Sequence, residues 1–129
     1  MAAAISHTGR ARDLIVAGLH GSFTLSISTL VLREVEGNII AKIPHALDMF
    51  TAITSALPEP VKPPLALVEQ AANLVHLKDA PIVAAAVFVQ ADYLASYDRR
   101  HLLAKRGEIA QAYGIVTATP DEILRETAR

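Results

Sequence analysis

The 129-residue chain contains no cysteine, and that absence removes two functional classes at once. No disulfide framework can form and no thiolate can hold a metal, so nothing points to an oxidising compartment and a cytoplasmic protein is expected. Long apolar runs are missing too. The longest, Ala80 to Val89, is ten residues, about half of the roughly 20 that a bilayer-spanning helix needs. No basic segment stands ahead of an apolar one at the N-terminus, so neither a secreted protein nor a membrane partner is expected. A surplus of positive charge is also lacking: 12 Lys and Arg stand against 13 Asp and Glu, giving a net charge of −1. Such a field does not draw in polyanions, so any nucleic-acid contact has to be local.

What is present is apolar content. Hydrophobic residues make up 52% of the chain and charged residues 19%, with a mean hydropathy of +0.34. That profile fits a single compact domain over 1–129. One local cationic stretch stands out, because Arg99, Arg100, His101, Lys105 and Arg106 fall within eight residues, diluted only by Asp98 and Glu108. A solvated helix face is the ordinary reading of such a run.

The pattern of elements alternates. Arg10 to Leu19 carries apolar residues at helical spacing and stops at Gly21, and "FTLSI" (Phe23 to Ile27) alternates as a strand does. Ser28 can cap a helix whose inward positions are Leu30, Val31, Val35 and Ile39. Pro44 opens a helical stretch with Leu47, Phe50, Ile53 and Leu57 on one stripe, and "LPEPVKPP" ends it as a rigid loop. Asp79 and Pro81 read as the cap and first turn of a helix over Ala80 to Gln90. Short strands follow at Asp92 to Ser96 and Gly114 to Ala118. A last helix opens with Thr119, Pro120 and Glu122, a capping box with proline in the first turn. Helices alternating with short strands imply an α/β fold with a parallel sheet, whose chemistry sits beyond the carboxyl ends of the strands.

Three acids fall near that edge: Glu34, Asp79 and Asp98. Each has an ordinary role open to it. Asp79 can be an N-cap that contributes about 1 kcal/mol, Asp98 a turn residue, and Glu34 plain surface. Convergence would change the balance, since two unit charges about 4 Å apart repel by roughly 4 kcal/mol at an effective dielectric near 20. A hard divalent cation relieves that repulsion, and magnesium takes one or two carboxylates and fills its shell with water and phosphate. His7, His20, His45, His76 and His101 are scattered without a His-x-x-x-His pair, so they read as surface or satisfied core residues. Phosphate-binding glycine loops and the serine-hydrolase elbow are absent as well.

Taken together, "HLKDAPIVAAAVFVQADYLASYDRRHLL" and "YGIVTATPDEILRE" resemble the second half of PIN-domain ribonucleases. "SHTGRARDLI" and "LSISTLVLREVEGNI" are similar to the first half, so the resemblance runs from Ser6 to Glu126. It implies a three-layer α/β/α fold with a central parallel sheet, and an acidic site for Mg²⁺ or Mn²⁺ that cuts RNA. Glu34, Asp79 and Asp98 match the family's catalytic, metal-holding acids. Ser96 replaces the commoner threonine and keeps a hydroxyl near Asp98, while Arg99 and Arg100 become phosphate contacts to substrate. A toxin of a toxin-antitoxin pair is among the implied functions, with an antitoxin protein as partner.

One departure accompanies the resemblance. The family opens on a strand that ends in an aspartate, and "MAAAISHTGRA" aligns just after it, so an N-terminally truncated PIN-like domain without that first strand is expected. Loss of a central strand leaves its neighbours with unpaired backbone groups, which a second copy of the chain could satisfy as a homodimer. The alternative function is therefore a non-catalytic PIN-like module that binds RNA or protein and dimerises. A plain scaffold domain with no site is the third.

Overall fold

The computed structural model describes residues 26, 29–56, 59–96 and 98–127, the side chains of residues 31, 34, 35, 38 and 127 excepted. The expected helix at Arg10 to Leu19, nearly all of the expected strand at Phe23 to Ile27 and the Ser28 cap lie outside the described residues. Over the rest the chain is mixed α/β and mostly helical, with a two-stranded parallel sheet.

Helix α1 (Thr29–Lys42) is followed by a 3₁₀ turn (Pro44–Ala46) and helix α2 (Leu47–Ser55). Ile39, Ala46 and Phe50 form a small buried cluster between them. Leu30 departs from expectation: in the first turn of α1 it is 37% exposed, while Ile39 further along is fully buried. The N-terminus of α1 is tied to the proline-rich loop, as the Thr29 amide donates to the Val61 carbonyl at 2.8 Å and its hydroxyl at 3.3 Å.

Pro64, in extended conformation, opens a helix that the sequence reading had not assigned, α3 (Leu65–Ala71). Its inward residues Val68, Ala71 and Ala72, with Val75 beyond, recur at helical spacing and pack on the next helix. That helix is α4 (Ala80–Phe88), apolar throughout, and it packs against α3, α1 and β1. Val83 and Ala84 have no exposure at all. Burying a valine fully contributes about 1.5–2 kcal/mol. Ile82 lies against both the main core and the Ile39 cluster, so α4 joins the two.

Helix α4 stops at Phe88, two residues earlier than expected. Gln90 turns to φ 56°, and the amides of Gln90 and Ala91 donate back to the carbonyls of Val87 and Ala86, both at 3.0 Å. This is the double hydrogen bond of a left-handed helix end, with glutamine where glycine is usual. The chain leaves directly into β1 (Tyr93–Ala95). A 3₁₀ turn (Leu103–Lys105) and helix α5 (Arg106–Tyr113) then carry it back, and Gly114 at φ 70° ends that helix. Strand β2 (Val116–Ala118) pairs parallel to β1 with Tyr93 opposite Val116, Leu94 opposite Thr117 and Ala95 opposite Ala118. Flanking bonds from Val116 to Asp92 and from Ser96 to Ala118 extend the ladder by one residue at each end.

Helix α6 (Pro120–Thr127) opens with the expected capping box. The Glu122 amide donates to Thr119 Oγ1 at 3.2 Å, and the Thr119 amide donates to Glu122 Oε1 at 3.1 Å. The backbone and side-chain hydrogen bonds from Thr119, with Arg106 and Arg125 nearby, hold the Glu122 carboxyl below its ordinary 4.5.

Two outcomes are expected. Gln90→Gly removes the cost of a side chain in left-handed backbone and raises unfolding stability by about 1 kcal/mol, read from the urea midpoint. The stabilisation from Glu122, whose folded pKa is depressed, is present above its unfolded value and lost as pH falls through the folded one. The difference in urea midpoint between Glu122→Ala and the parent is therefore full at pH 7 and closes below about pH 4.5.

Candidate metal centre

At the carboxyl end of β1 the chain leaves the sheet at Ser96, which is buried. The Asp98 amide donates to Ser96 Oγ at 3.0 Å, so the hydroxyl holds the main chain of Asp98 rather than its carboxylate. Asp98 then builds its own turn. Its Oδ1 accepts from the amides of Arg100 and His101, both at 3.1 Å, and its carbonyl accepts from Leu103 at 2.9 Å. This is an aspartate folding the chain around its side chain. The turn brings the imidazole of His101 back, with Nδ1 3.2 Å from Asp98 Oδ2.

Partial burial raises the pKa of Asp98. The amide and ring of His101 and the amide of Arg100 outweigh it and hold the carboxyl below its ordinary 3.8. Asp98 is ionised at neutral pH.

Asp79 arrives from the other direction. A turn over His76 to Ala80, with the Asp79 and Ala80 amides donating to the His76 carbonyl at 2.8 and 3.0 Å, leads into α4. Asp79 stands at the N-cap position, yet its side chain makes no capping bond, contrary to expectation. The reason is its backbone. At φ −94° and ψ −12° it is already helical, whereas a capping side chain reaches back from extended backbone. The residue is only 5% exposed, and its carboxylate has no hydrogen-bond partner among the described residues.

The structure thus brings Asp79 and Asp98 together, with His101 as a third member. One ligand atom from each of the three lies within 4.8 Å of the other two. Glu34 lies in α1, but its side chain is outside the described residues. His101 is the residue that sequence reading missed. Its signal was the spacing of three from Asp98, which a turn converts into a contact. The ring of His76 flanks that of His101 at 5.8 Å between centroids, and its Nδ1 accepts the Lys78 amide at 3.1 Å.

Arg99 and Arg100 are exposed beside this group, and among the described residues no acid lies within ion-pair distance of either. Lys105 and Arg106 are engaged instead, with Glu108 at 3.5 Å and Glu122 at 3.9 Å. Comparison with protein-family models, with curated proteins and with solved structures finds no match in any of the three.

Two carboxylates at such separation repel by roughly 3 kcal/mol at an effective dielectric near 20, and solvent at the partly exposed Asp98 cuts this to about 1 kcal/mol. Asp79→Asn removes the repulsion at nearly constant shape. In the presence of EDTA it is expected to raise unfolding stability by about 1 kcal/mol, read from the urea midpoint. If the group holds a divalent ion, millimolar Mn²⁺ reverses the order, the parent becoming the more stable protein.

Proposed function

We propose that the chain is a PIN-like endoribonuclease that hydrolyses RNA phosphodiester bonds with Mg²⁺ or Mn²⁺ held by Asp79 and Asp98. Glu34 on α1 is the third acid of this reading. The two parallel strands then belong to the central sheet of a three-layer α/β/α arrangement, and an antitoxin protein is the partner that the same resemblance carries with it. The observation that supports it most is the meeting of Asp79 and Asp98, which are far apart in sequence and come within ligand distance at the carboxyl end of β1. The donor set fits a hard dication, being two carboxylates, one of them on a buried residue with no side-chain hydrogen bond among the described residues.

A bound divalent ion at such a site lowers the pKa of an attacking water and offsets charge on the phosphate. The chain's own residues supply the rest. Ser96 and the two amides of the turn hold Asp98 in place, and the ionised carboxylate is ready at neutral pH. Arg99 and Arg100, without an ion pair among the described residues, offer cations for the RNA backbone, which a net charge of −1 does not otherwise attract.

A second reading, a non-catalytic module that dimerises, is favoured by the exposure of Leu65 and Leu77, each 71%, and of Phe88, 51%. Size-exclusion chromatography separates the two, because a monomer that cleaves RNA excludes it.

Single-stranded RNA labelled at its 5′ end is expected to be cut with Mn²⁺ and spared with EDTA, and Asp98→Asn abolishes cutting. Arg99→Ala with Arg100→Ala weakens RNA binding and lowers the salt slope by about 2. Intact RNA after incubation of the parent protein with Mn²⁺ overturns the proposal.

A further inference from the structure

We infer that His101 is the third ligand of this centre and that its imidazole tunes the site to a transition-metal dication of the Mn²⁺ or Zn²⁺ class over Mg²⁺, an inference that rests on Asp79 and Asp98 being a cation site.

The ligand atoms of the three residues lie within 4.8 Å of one another. The closest approach between two of them is that of His101 Nδ1 to Asp98 Oδ2, 3.2 Å. Adjacent ligands of a six-coordinate ion with bonds of about 2.1 Å stand roughly 3.0 Å apart, so the pair is already spaced for one ion. A neutral imidazole with its proton on Nε2 presents the Nδ1 lone pair to that ion, and the hydrogen bond to Asp98 gives way to two metal bonds.

Acids that cluster on a surface bind nothing in particular, and Asp79 is what separates this group from such a cluster. It is 5% exposed and has no side-chain hydrogen bond among the described residues, yet it offers an oxygen to the group. A carboxylate so placed costs free energy until something positive pairs with it. The residue is also placed in advance, because the His101 amide is fixed on Asp98 Oδ1.

Imidazole nitrogen decides the class of ion. It suits zinc and the later first-row metals best, and manganese, though oxygen-preferring, accepts it more readily than magnesium, which keeps to oxygen ligands and sheds water reluctantly.

The test is calorimetric titration of the full chain with MnCl₂ and separately with MgCl₂, together with pulsed electron paramagnetic resonance of bound Mn²⁺. The parent is expected to bind Mn²⁺ at least about tenfold more tightly than Mg²⁺ and to show ¹⁴N coupling from a ligand imidazole. His101→Asn, folded by circular dichroism, loses the coupling and brings the two affinities within about twofold of each other, while His76→Asn keeps both features. Binding of Mn²⁺ without ¹⁴N coupling, or a preference unchanged in His101→Asn, overturns this inference alone. Binding of neither ion by the parent overturns the cation-site reading and this inference with it. If His101→Asn does not fold, the ¹⁴N coupling in the parent and its persistence in His76→Asn decide the matter.

Discussion

A helix without a polar face needs cover around its body, and α4 is such a helix, buried or half-buried from Ala80 to Val87 and open at its end, Phe88. Its small alanines let neighbours approach closely, and α3, α1 and β1 all do so. Because α4 cannot sit at the surface, whatever opens it is drawn inside as well. Asp79 is therefore buried by the packing of the residues after it, not by any preference of its own carboxylate. A charge placed there is relieved by a cation, and what the fold brings to it is a second carboxylate.

The second carboxylate arrives through the sheet. The left-handed turn at Gln90 sends the chain from α4 straight into β1, and the parallel pairing with β2 fixes where β1 ends. Asp98 stands two residues past Ser96, and its turn is closed by its own side chain, so its position follows from local geometry once the strand is in place. The two carboxylates meet because one lies at the start of the buried helix and the other just beyond the strand that follows it. Basic residues gather in the same turn: His101 contacts Asp98, and Arg99 and Arg100 have no ion pair among the described residues.

Much of this was legible from residues whose partners are close in sequence. Thr119, Pro120 and Glu122 read as a capping box and form one, since bonds between positions three apart need no help from the rest of the fold. The short strands read at "DYLAS" and "GIVTA" form and lie parallel as expected. Asp98 was recognisable both as a turn former and as a candidate site acid. Other features escaped for physical reasons. The apolar positions of α3 follow directly on a proline-rich loop, which hid their periodicity. Asp79 looked like a cap because it precedes Ala80 and Pro81, but the turn from His76 had already made its backbone helical. His101 has no histidine partner at metal spacing, and only the bend at Asp98 turns its ring toward the acids. The expected three-layer sheet is finer than the two paired strands, which establish a mixed, mostly helical α/β chain.

The way Asp98 spends its oxygens has one more result. Both amides of its turn converge on Oδ1, so a cation meeting this carboxylate finds Oδ2 alone available without unfolding the turn. Bidentate chelation, which the large shell of calcium commonly recruits, would break two hydrogen bonds at once. A single-oxygen grip suits smaller ions, so at the proposed site the choice of ion would be set by a turn rather than by the size of a cavity.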